Sequence, residues 1–94
     1  MTRNGLTMKQ RKMKNRLLEL IQERERKIGR RVKQRDIAEF AEVTDHTIIN
    51  WIRNDVSRFE SRVVERLCEY FNCDICDLLY FEWVEVEITP DDPG

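Results

Sequence analysis

Four side chains near the middle of this 94-residue chain restrict its fold more than any other feature. Ala38, Val43, Ile48 and Trp51 follow one another at intervals of five, five and three residues. Small and apolar residues so placed are what two short helices need when they cross through a tight turn. Ala38 is small enough to let the helices approach, Val43 plugs the turn, and Ile48 and Trp51 fill the space between. The spacing predicts a helix over Gln34–Ala41 and a turn at Glu42-Val43-Thr44. It then predicts a second helix, N-capped by Thr44 and running to about Arg53. Ile37, Ala38 and Ala41 face inward from the first helix, and Ile48, Trp51 and Ile52 from the second.

The outer positions of the second helix are polar: Thr44, Asp45, His46, Asn50 and Arg53. A helix docked by an apolar face and polar on the other is what insertion into a nucleic-acid groove requires.

The flanking pattern is also helical. From about Lys9, the residues Met13, Leu17, Leu20, Ile21 and Ile28 draw one apolar face at helical spacing. They predict a long first helix that stops at Gly29. Arg30-Arg31-Val32-Lys33 follows as a basic connector. Ser61–Phe71 reads as a fourth helix ended by Asn72, with Val63, Val64, Leu67, Cys68 and Phe71 inward. Asp74 can cap a short fifth helix over Ile75–Tyr80. Beyond it the period changes to two. Val84, Val86 and Ile88 share one face, and Trp83, Glu85 and Glu87 the other, as in a strand. A lone strand cannot satisfy its own backbone. A second copy of the chain is one partner for it; packing along its own subunit is the other.

The chain thus reads as an all-α, five-helix domain with a C-terminal β-strand extension. Residues 1–8 form a flexible basic arm. Residues 9–81 form the helical domain, with the two crossing helices at 34–53. Residues 82–94 form the strand-like extension and an acidic tail.

The net charge of −1 conceals a division. Residues 1–35 hold 13 of the 17 Lys and Arg against three acids, giving +10; residues 36–94 hold four Arg and 15 acids, giving −11. Such asymmetry fits an anionic partner for the basic half, or neutralisation of one half by the other. No apolar run nears the roughly 20 residues of a membrane span. The basic beginning has no apolar stretch after it, as a secretory signal would, so a cytoplasmic address is expected. Cys68, Cys73 and Cys76 are odd in number, which argues against a disulfide framework. With His46 they make a nominal zinc set. Cys68 and Cys73, however, fall at core positions, and inert thiols with no metal are the expectation. No nucleophile–His–acid set and no glycine-rich phosphate loop occurs, so neither enzyme activity, a cofactor nor a small-molecule substrate is expected.

Gln34-Arg35-Asp36-Ile37-Ala38-Glu39, then Val43-Thr44, then Thr47-Ile48-Ile49-Asn50-Trp51 resemble the helix-turn-helix of the Xre family, the phage lambda Cro and repressor type. The likeness continues through Arg58-Phe59-Glu60, Val64-Glu65-Arg66-Leu67-Cys68, Phe71-Asn72-Cys73 and Asp77-Leu78-Leu79. It implies a lambda-repressor-like domain that binds double-stranded DNA and regulates transcription, most simply as a repressor. It places base reading on Thr44, Asp45, His46 and Asn50, and phosphate binding on Lys33, Gln34 and Arg53, with Arg58 in the following loop. The chemistry agrees: Asn50 can pair with adenine, His46 can donate to guanine, and Thr44 can touch a thymine methyl or a phosphate. Asp45 has two roles open to it, accepting from a cytosine amino group or favouring the helix dipole. The unpaired strand makes Trp83, Val84, Val86 and Ile88 the expected seam of a homodimer, similar in place to the C-terminal strand through which Cro pairs with itself, with two reading helices about 34 Å apart. Two departures stand out. Glu42 occupies a turn position usually held by glycine, and the connector before Gln34 is longer than usual. The alternative from another class is a protein-interaction module, antitoxin-like or a phage modulator, that uses the acidic C-terminal half.

Overall fold

Lys9 to Arg16 are residues that favour helices. Yet the computed structural model, which describes residues 7–87, places Thr7–Asn15 in an extended strand, β1. Helix α1 begins only at Leu17 and runs to Ile28. β1 pairs antiparallel with β2, Leu79–Glu87, setting Thr7 opposite Glu87 and Asn15 opposite Leu79. The all-α expectation is therefore corrected: five helices stand beside a two-stranded antiparallel sheet.

The physical reason lies in β2. Its Trp83, Val84 and Val86 suit an extended chain, and its backbone needs a ladder. The basic strand supplies one in a register that sets Lys9 opposite Glu85 and Lys12 opposite Glu82. Cross-strand pairing of this kind overrides the helix preference of lysine, arginine and methionine. Part of the charge division is thus met inside the chain. The outer edges of both strands carry no further strand among the described residues. The first six residues of the expected arm, together with Ile88 and the acidic tail to Gly94, lie outside the described residues.

The remaining elements follow the sequence closely. Helix α2 spans Gln34–Ala41, α3 Asp45–Ile52, α4 Ser61–Phe71 and α5 Ile75–Leu78. Gly29 ends α1 at φ 72° and Asn72 ends α4 at φ 52°, both left-handed as such stops require. Asp74 and Asp77 close a reciprocal capping box on α5. That helix is shorter than expected, because Leu79 and Tyr80 belong to β2. None of the described helices is long and apolar enough to cross a membrane.

The core draws on every helix. Leu17 and Ile21 of α1, Ile37, Ala38 and Ala41 of α2, and Ile48 and Trp51 of α3 are buried together. Val63, Val64 and Leu67 of α4 and Leu78 of α5 complete it. Trp51 meets Phe59 edge-on with ring centroids 5.3 Å apart, a favoured aromatic geometry. Ile28, expected inside, is 47% exposed because α1 outruns the core. The ribbon of β1 and β2 stands clear of the helices. Met8–Lys12 and Phe81–Val86 are exposed, save half-buried Val84. Nine extended residues reach about 30 Å, consistent with overall extents of 54 × 26 × 20 Å.

One buried polar residue joins ribbon to helices. Asn15, 2% exposed, ends β1. Its Nδ2 donates to the Trp51 carbonyl at 3.0 Å and to Asn54 Oδ1 at 3.1 Å, and its Oδ1 accepts from the Leu17 N–H at 2.9 Å. Asn54 answers in kind. Its Oδ1 accepts from the Asn15 N–H at 2.7 Å, and its Nδ2 donates to the Asn15 carbonyl at 3.1 Å. Beside them the Arg16 N–H donates to the Leu78 carbonyl at 2.7 Å. Stranding such groups in the interior costs about 1–3 kcal/mol. Asn15→Ala is therefore expected to lower unfolding free energy by about 2–3 kcal/mol in urea denaturation. A loss below about 0.5 kcal/mol would show that water replaces these bonds.

Candidate nucleic-acid interface

Helix α2 ends at Glu42, which adopts φ 61° and ψ 44°. The Val43 N–H reaches the Ala38 carbonyl at 3.0 Å and the Glu42 N–H reaches that of Glu39 at 3.2 Å. These bonds turn the chain sharply, and Val43 packs half-buried against the core, as a plug should. A left-handed residue with a side chain costs about 1–2 kcal/mol relative to its ordinary conformation. The side chain gives something back. Its carboxylate pairs with Arg62 and with Arg66, the latter at 3.3 Å, both on α4. Glu42 and Arg62 are exposed and Arg66 is half-buried but open to solvent, so each pair is worth about 0–1 kcal/mol. They nonetheless tie the turn to the next helix but one, a role invisible in the sequence.

Thr44 caps α3 as expected: its Oγ1 accepts from the Thr47 N–H at 3.2 Å and lies 3.1 Å from Thr47 Oγ1. Asp45 and His46 are exposed on the first turn. By helical period, His46, Asn50 and Arg53 share the face opposite Ile48 and Trp51. Ile49 shares it too and is half-buried. Sequence reasoning gives Ile49 no role of its own. Its place four residues after Asp45 and beside Asn50 was the available signal.

Asn50 lines a shallow groove together with Thr47, Ser57 and Arg58. The structure therefore brings Arg58 from its loop to the same side as Asn50. Arg53, exposed, is the C-cap residue of α3, where its cation suits the negative helix end. Lys33 and Gln34 are exposed at the start of α2. Lys33 makes no side-chain cap there, and the first amides of a helix are groups that an anion can satisfy.

The residues expected at a dimer seam lie on the ribbon rather than on this helix pair. Trp83 is 63% exposed, Val86 is exposed and Val84 half-buried, all on β2. The Arg11 guanidinium lies over the Phe81 and Trp83 rings, 5.1 and 5.5 Å from their centroids.

The cysteines pack at the end of α4. The Cys73 N–H donates to the Cys68 carbonyl at 3.0 Å, the bond that seats side chains at such a helix end against each other. Burial pushes the Cys68 thiol up, and burial with the adjacent Cys68 pushes Cys73 up to about 11. Thiols held protonated are poor nucleophiles and poor metal ligands. Cys76 is exposed, and His46 lies on α3 rather than beside the sulfurs. Among the described residues, no group of three or more His, Cys, Asp and Glu converges as a metal site would.

A family model, the Cro/C1-type HTH DNA-binding domain, matches residues 7–83. That span takes in β1, all five helices and β2 as far as Trp83. No curated protein and no solved structure matches the chain significantly.

The strained turn offers a test. Glu42→Ala keeps the left-handed backbone and loses both arginine pairs, whereas Glu42→Gly relieves the strain. The glycine variant is expected to exceed the alanine variant by about 1 kcal/mol in urea denaturation. Coincident midpoints would count against strain at this residue.

Proposed function

The chain belongs to the family of Cro/C1-type HTH DNA-binding domains, and from that premise we propose that it is a sequence-specific transcriptional repressor. It lays α3 in the major groove of double-stranded DNA and works in the cytoplasm. The observation that carries this reading is the two-faced α3. Ile48 and Trp51 are buried, while Asp45, His46 and Arg53 are exposed and Asn50 lines an open groove. Asn50 pairs with adenine, His46 donates to guanine, and Asp45 accepts from cytosine or steadies the helix end. Thr44 keeps its hydroxyl on the cap and offers its methyl. Lys33, Gln34, Arg53 and Arg58 hold phosphates on either side and fix the register.

A repressor of this kind gains from a two-fold partner, and the outer edge of β2 is suited to one. Two β2 strands paired antiparallel about Val84 would set Trp83 against the partner's Glu85, and Glu82 against the partner's Val86. No carboxylate then faces another. Trp83, Val84 and Val86 form the contact, and two copies of α3 address successive turns of the duplex. The interaction-module reading has less to draw on. Glu82 and Glu85 already stand opposite lysines of β1.

Binding to a pool of genomic fragments, followed against salt, tests the first part. Steeply salt-dependent selection of one sequence is expected, and no binding at low salt would sink the reading. On the selected duplex, Asn50→Ala should erode discrimination by about 1–3 kcal/mol at one base pair, and Arg53→Ala should weaken all sequences alike. Identical behaviour of the two would overturn these roles. Sedimentation tests the second part. The full chain is expected to run as a dimer and the Val84→Glu/Val86→Glu variant as a monomer, and equal masses would refute pairing through β2.

A further inference from the structure

The long connector between α1 and α2 is not slack. Gly29 turns the chain left-handed, and a Glu25 carboxylate oxygen accepts from the Val32 N–H at 2.9 Å. Glu25 thus binds the connector to α1 and turns its charge to that task. On the other side, Arg24 stacks on the Tyr70 ring at 4.7 Å and donates to the Tyr70 carbonyl at 2.6 Å. Between these two fixtures lies a cleft of about 540 Å³.

Its charge is lopsided. Arg30, Arg31 and Lys33 line it with Arg24, against the single carboxylate of Asp36. Ion pairs among the described residues involve Lys27, Arg62 and Arg66, and none of the three connector cations. A second hollow, bounded by Arg31, Val32, Lys33 and Gln34, continues the cleft to the first residue of α2. There the first amides of that helix lack a side-chain cap.

We propose that this cleft seats the sugar–phosphate backbone of DNA, next to the phosphate met at Gln34, so that the lengthened connector adds a sequence-blind contact to the footprint of α3. The inference rests on the DNA-binding reading above. A polymer suits the site better than a free anion. The cleft is open to solvent, its cations are strung along a connector rather than converging on one point, and it runs on into the start of α2. Arginine forks match phosphate oxygens, and Ile28, Val32 and Tyr70 give the sugar an apolar wall.

The test compares Arg30→Gln/Arg31→Gln with the unmodified full chain and with Arg26→Gln/Lys27→Gln, which removes equal charge from α1 outside the cleft. Each is titrated with the selected duplex from about 50 to 200 mM salt. The connector variant should show a slope of log affinity against log salt shallower by about two, at about 0.9 per phosphate lost. Its ranking of operator variants should be unchanged, and the α1 variant should keep the original slope. An unaltered slope in the connector variant, with Arg53→Ala still lowering it, overturns this inference and leaves the DNA-binding reading standing. An unmodified chain that binds no duplex removes both. A further arm titrates inorganic phosphate into the DNA-free chain and follows its amide NMR signals. Saturable shifts around Val32 and Gln34 below millimolar phosphate, lost in the connector variant, would make the cleft a free-anion site and overturn the inference.

Discussion

The reciprocal clamp of Asn15 and Asn54 is the constraint on which the rest of the architecture depends. Four hydrogen bonds join two asparagines and the Trp51 carbonyl, and a fifth starts α1. Two amides that satisfy each other, one buried and one half-buried, leave little alternative geometry, because a slip strands a donor or an acceptor. The clamp fixes three things together: where β1 stops, where α1 starts, and where the end of α3 sits. Helix α3 is thus held at its start by the Thr44 cap and at its end by the root of the ribbon. Asn54 can serve only because its backbone is left-handed at φ 59°, a conformation asparagine tolerates better than most residues.

Much of this was legible in the sequence, and the boundary of legibility has a physical cause. Ala38, Val43, Ile48 and Trp51 report contacts that are local in the chain, so their spacing located α2, α3 and the turn between them. Asn72 and Gly29 announced their helix ends for the same reason. β1 was not legible. Its nine residues hold four Lys and Arg and two Met, and nothing local makes them extended. What makes them so is β2, more than sixty residues away, with acids spaced to meet the lysines. The clamp escaped for the same reason: Asn15 and Asn54 are 39 positions apart, and each alone reads as an ordinary polar residue. Glu42 was noticed as a missing glycine. Its pairing with Arg62 and Arg66 required the position of α4.

The expectation that Thr44, Asp45, His46 and Asn50 read bases rests on helix period together with family likeness. By helical period His46, Ile49 and Asn50 share the face opposite Ile48 and Trp51, Arg58 comes beside Asn50, and Thr44 is held in the cap. The connector is the opposite case. Its excess length and its basic charge are visible in the sequence, but not the cleft that its cations line. Its tie to α1 depends on Glu25 and the wall of the cleft beside it on Tyr70 of α4, and neither could be read as its neighbour.

The ribbon's register has a mechanical consequence. Thr7 and Glu87 face each other across the sheet, so their Cα atoms lie about 4.5–5.5 Å apart, at the end of the ribbon remote from the clamp. A pull that separates these two residues loads one cross-strand pair at a time, as a zipper does, rather than shearing the whole ladder at once. The ribbon would open at low force until the tear reached Asn15. There the load would meet the clamp and, through Asn54, the end of α3.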